Sequence, residues 1–136
     1  MSTFDSFHTA IIEAVASEEL LGDTFAERDP DWFTTGLPPS REEDGWKAAY
    51  PCIRYAVLDS RNNRVREYTI SLNLWDTTDN SDEITLDFYA KADALQDALN
   101  RAPGIILPAG YKPLPEPANG LNHAVWIIRY IAGRAE

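Results

Sequence analysis

The sequence has one cysteine, Cys52, one methionine and only two histidines, His8 and His123. A lone thiol forbids an intramolecular disulfide and removes every zinc site built from the cysteines of one chain. Cys52 stands inside the apolar run PCIRYAVLD and reads as a buried structural thiol. Bases are also scarce: 12 Lys and Arg face 22 Asp and Glu, a net charge of −10. That balance argues against gripping a phosphate backbone through a diffuse basic surface, because such affinity comes from cations displacing counterions. Sequence-specific binding of nucleic acid is not expected. Long apolar runs are missing as well. No stretch approaches the ~18 continuous apolar residues of a membrane span. The opening MSTFDSFHTA has neither the basic nor the apolar segment of a secretory signal. We therefore expect a soluble protein made in a cytoplasm, with no membrane partner.

The remaining residues predict one α+β domain over 1–136, with an antiparallel sheet of about four strands and two helices packed on one face. Phe4, Phe7, Ile11, Ile12 and Val15 recur at helical spacing, so a helix is expected over 3–21 with Gly22 as its stop. Residues 22–50 contain Pro30, Pro38, Pro39, Gly36 and Gly45 and read as a long irregular loop. Strict alternation in PCIRYAVLD (51–59) and VREYTISLNLW (65–75), around an Asn-rich turn, predicts a hairpin. Ile84, Phe88, Ala92, Leu95 and Leu99 mark a helix over 82–101, ended by Pro103 and Gly104. The last strand, HAVWIIRYIA (123–132), is apolar on both faces and is expected at the centre of the sheet or beneath another subunit.

A search for chemistry gives no specific constellation. There is no Gly-rich phosphate loop, nucleophile elbow or HExxH. Cys52 and His123 are the one pair that could activate a thiolate, but a buried thiol and a strand-edge histidine coexist in many non-catalytic proteins. The segment DTTDNSDE (76–83) holds four acids but lacks EF-hand spacing, and helix capping by a solvated loop accounts for them. No catalytic residue, metal or cofactor is expected.

Charge is unevenly placed. Residues 1–45 hold eleven acids and two bases, whereas 46–75 hold two acids and five bases. Arg54, Arg61, Arg64 and Arg66 cluster on the hairpin. They either protect a solvated tip from edge pairing or meet an acidic surface of a neighbouring copy, residues 13–31 with Asp29 and Asp31 among them or the 76–83 loop. Tryptophan is enriched at interface centres, so Trp32, Trp46 and Trp75 join the candidates, with core packing as the alternative for each. Trp126, in the apolar last strand, reads as core.

The order of these elements carries a resemblance from about residue 4 to residue 132. A helix and a variable loop precede PCIRYAVLD, a polar turn and REYTISLNLWD. An acidic loop leads to a helix with KADALQDALN, then AGYKP and the closing strand HAVWIIRYIAG. This layout resembles the tail-terminator (tail-completion) proteins of long-tailed bacteriophages, including small prophage proteins called minor tail proteins. The resemblance implies a non-enzymatic structural protein of the virion tail or neck. It implies a homo-oligomeric role in virion assembly: a hexameric ring that terminates the tail tube, contacts the tail tube protein and a head-tail connector protein, and serves head-tail joining. It carries no residue-level motif, so the interface candidates rest on the residues alone. A head-tail connector or stopper would share the layout, and an acidic immunity or antitoxin-type module would share the charge.

Overall fold

Alternation along the hairpin sorts side chains onto two faces, and the helices cover only one of them. The computed structural model describes residues 3–26, 28, 30–40, 42, 49–62, 65–77, 82–106, 109–114, 116 and 120–134. In chain order these form α1 (Thr3–Ala16), α2 (Glu19–Phe25), a 3-10 turn (Pro30–Trp32), β1 (Phe33–Thr35), β2 (Cys52–Asn62), β3 (Val65–Thr77), α3 (Asp82–Arg101), β4 (Ile105–Ile106), β5 (Lys112–Pro113) and β6 (Leu121–Arg134). The chain is thus α+β.

The sheet differs from the expected four antiparallel strands. Among the described residues six strands run in the order β1-β2-β3-β6-β4, with β5 also paired to β6. It is mixed, because β1 lies parallel to β2, Phe33 opposite Ile53. Among the described residues three α-helices stand where two were expected. The extra helix arises because the first one breaks at Ser17 and Glu18. Gly22 does not stop a helix but lies inside α2. A Cβ there would sit 2.7 Å from the Ala16 carbonyl oxygen, so glycine lets α2 approach the end of α1. The expected loop over 22–50 therefore carries a helix turn, a 3-10 turn and a short strand within its described residues.

The core lies between the helices and one sheet face. Phe7, Ile11 and Val15 of α1 and Phe88, Ala92, Leu95 and Leu99 of α3 meet Ile70, Leu72 and Leu74 of β3 and Ala124, Trp126 and Ile128 of β6. Fully burying one such aliphatic or aromatic side chain contributes ~1.5–3 kcal/mol. The side chains of Phe4 and Ile84 lie outside the described residues. β6 is central, flanked by β3 on one edge and by β4 and β5 on the other.

The β2–β3 register carries one irregularity. Val57 faces Ile70, and Asp59 faces Thr69, so Leu58 is an extra residue on β2. Such a bulge bends its strand and increases local twist. It also reverses the faces beyond it. By simple parity Asp59 and Arg61 would share the helix side with Ile53 and Tyr55. Instead Arg61 pairs with Glu67, and both point to the helix-free side.

Candidate functional site

The helix-free face of β2, β3 and β6 gathers most of the described chemistry-bearing residues, and its two ends differ. At the end nearest the start of β2, Tyr50, Cys52, Trp75 and Leu121 form a second, smaller apolar cluster. After β1, Gly36 adopts φ +98, a left-handed conformation that favours glycine, and the chain turns across this cluster. The Tyr50 hydroxyl donates to the Pro39 carbonyl at 2.5 Å and fastens the crossing segment. Between that segment and the sheet runs a groove of about 470 Å³, walled by Leu37, Pro39, Trp75 and Leu121 and carrying the carboxylates of Glu42 and Glu116.

His123 lies beside this groove, its ring stacked on Trp75 at 3.6 Å and 4°. Asn73 fixes its tautomer. The Asn73 amide nitrogen donates to the Ser71 hydroxyl and the Arg54 carbonyl, leaving its oxygen to accept from His123 Nε2 at 2.7 Å. Burial lowers the His123 pKa below 6.5, against Glu116 and the Leu114 backbone, which favour the charged form. His123 is therefore neutral at pH 7.

The pair Cys52 and His123 does not form a dyad. Cys52 is opposite Trp75, and Trp75 is opposite His123, so the two lie two strands apart, about 10 Å between backbones, with the indole between them. Burial pushes the Cys52 thiol up to about 11, against the attraction of Arg54 and Arg28, so it is protonated at pH 7.

The other end of the face is the hairpin. Asp59, Arg61, Glu67, Thr69 and Arg129 surround a shallow charged depression, and Arg129 pairs with Glu67. Apolar side chains stay in solvent here: Leu58 is 57% exposed, Ile127 47% and, on the opposite face, Val57 44%. No helix covers them.

The interface candidates separate into distinct groups. Arg61 and Arg66 are exposed on the hairpin, as a surface role requires. Arg54 is not at the tip. It is buried, and its Nη1 lies 3.1–3.2 Å from the carbonyls of Asp31, Trp32 and Ile53, clamping the 3-10 turn to β2. Trp32 is also buried, stacked on Phe25 at 4.2 Å within the core. Trp75 is buried yet lines the groove. Asp31 is exposed. Arg64, Trp46 and Asp29 lie outside the described residues, as do residues 78–81 of the acidic loop. Among the described residues no group of three or more His, Cys, Asp or Glu could hold a metal ion. No helix among them is long and apolar enough to cross a membrane.

Sequence reasoning missed the groove, Glu42 and Glu116 with it. Its described walls come from residues 37–40, Glu42, Trp75, Glu116 and Leu121, positions joined only by the tertiary fold. The Pro-Pro pair at 38–39 was the one local signal of an extended, rigid crossing segment. No family model matches the chain, and no curated protein matches it.

Proposed function

We propose that the chain is a non-enzymatic structural subunit of a phage or prophage that assembles with copies of itself into a ring at the tail end. There it terminates the tail tube and contributes to head-tail joining, in contact with the tail tube protein and a head-tail connector protein. The supporting observation is a helix-free sheet face whose hairpin end leaves Leu58 and Ile127 in solvent among charged side chains. Apolar side chains grouped among charges on an open sheet face fit a contact surface. The element order that resembles tail terminators gives the reading its particular form, and a hexamer is the ring that resemblance implies.

Light scattering on the purified protein, electron microscopy and a tube-capping assay test it together. Rings, or arrest of tail-tube growth on addition of the protein, support the proposal. A monomer at high concentration that also leaves tube growth unchanged sinks it. The net charge of −10 favours a second reading, an acidic inhibitor of a basic toxin. A toxin gene beside the coding sequence, in place of capsid and tail genes, would favour that reading.

A further inference from the structure

Resting on the self-assembly reading above, we infer that copies join head to tail, the arginine-bearing hairpin end of one entering the acidic groove of the next. Arg61 and Arg66 are the inserting side chains, and Glu42 and Glu116 receive them.

Three observations lead there. First, the two surfaces are complementary in chemistry. The groove offers two carboxylates beside an indole wall, and a guanidinium suits that setting because it forks onto carboxylates and lies flat against aromatic rings. Its volume of about 470 Å³ falls within the range of about 300–1,000 Å³ for clefts that enclose a ligand-sized group. Second, the two surfaces cannot meet within one chain. The groove adjoins the start of β2 at Cys52 and the hairpin closes beyond Asn62, which places them about 30 Å apart along one strand. Third, both are fringed by exposed apolar side chains. Leu37 is 87% and Leu114 50% exposed near the groove, and Leu58 is 57% exposed near the hairpin end. Apolar area can thus be buried around the charged centre of the contact. Two different patches on each copy define a heterologous interface, which closes into a ring when the rotation between copies permits.

Exchange of charge tests the contact. Two variants are made in the full chain, Arg61→Glu with Arg66→Glu, and Glu42→Arg with Glu116→Arg. All four side chains are partly or fully exposed, so circular dichroism should show the parent fold, with a small drop in the unfolding midpoint where Arg61→Glu faces Glu67 across the strands. Each variant alone should assemble at least tenfold more weakly. Mixed in equal amounts, they should assemble again, because every tip then finds a groove of opposite charge in an alternating ring. If either variant alone assembles like the parent, or the mixture stays dissociated while the parent forms rings, the head-to-tail contact is wrong and the self-assembly reading survives. If the parent neither assembles nor caps tubes, both fall.

Discussion

Arg54 shows how a residue changes meaning between a sequence and a fold. In the sequence it belongs with Arg61, Arg64 and Arg66 as one basic cluster. In the fold its guanidinium is buried against three carbonyls. Hydrogen bonds to a charged group contribute about 1.5–3 kcal/mol when the partners are buried. Arg54→Ala should therefore lower stability by about that amount in urea titration, whereas Arg61→Ala should change it by less than about 0.5 kcal/mol. His123 is legible in the sequence only as a strand-edge histidine. Its burial against Trp75 needs the β3–β6 register, which no local pattern announces. The consequence is a pH dependence of known sign. Burial lowers the pKa of both His123 and His8 below 6.5, so the unfolded chain binds more protons than the native one as pH falls. Their contribution is complete above pH 6.5 and declines as pH drops through 6.5 toward the native values. Urea titrations at about pH 8 and about pH 5.5 should show that decline, and His123→Phe should reduce it.

At the scale of elements, long periodic segments were the readable ones. The helix expected over 82–101 is α3, Asp82–Arg101, and the hairpin and last strand stand where alternation and apolarity put them. The failures have physical causes. β1 has three residues, too few to establish a period, and its parallel pairing with β2 depends on where the 3-10 turn sets it down. The break between α1 and α2 has no proline or glycine at the break itself. The glycine that matters is Gly22, where α2 crosses the Ala16 carbonyl. Intrinsic propensity alone predicts that Gly22→Ala gains up to about 1 kcal/mol. The 2.7 Å approach to backbone predicts the reverse, a loss of about 1–3 kcal/mol, because neither helix can yield without shifting. Thermal and urea unfolding of that single variant decide between the two signs.

The whole molecule is one sheet with unequal faces. The sequence made the covered face plain, since Tyr68, Ile70, Leu72 and Leu74 spell it out. The other face was obscured by the bulge and by the crossing segment at 36–40, which give it a charged end and a groove end. Net charge also acts at this scale. At −10 copies repel one another over distances comparable to the Debye length, while contacts between opposite patches attract at short range. If ion pairs dominate the contact, raising salt from about 0.05 to about 0.5 M should loosen assembly, measured by light scattering. Tightening with salt would point to the apolar fringe as the main contribution.

On the proposed head-to-tail contact, the extra residue at Leu58 would govern how many copies fit together. It lies between the groove end of β2 and the arginines, so the twist it adds sets the direction in which the tip leaves the sheet. In a tip-to-groove chain that direction is the turning angle from each copy to the next, about 60° for a closed hexagon. Deleting Leu58 would remove the bulge and alter that angle, while Asp59 and Arg61 would keep their places opposite Thr69 and Glu67. The same subunit would then trace a different polygon, or an open spiral in place of a circle.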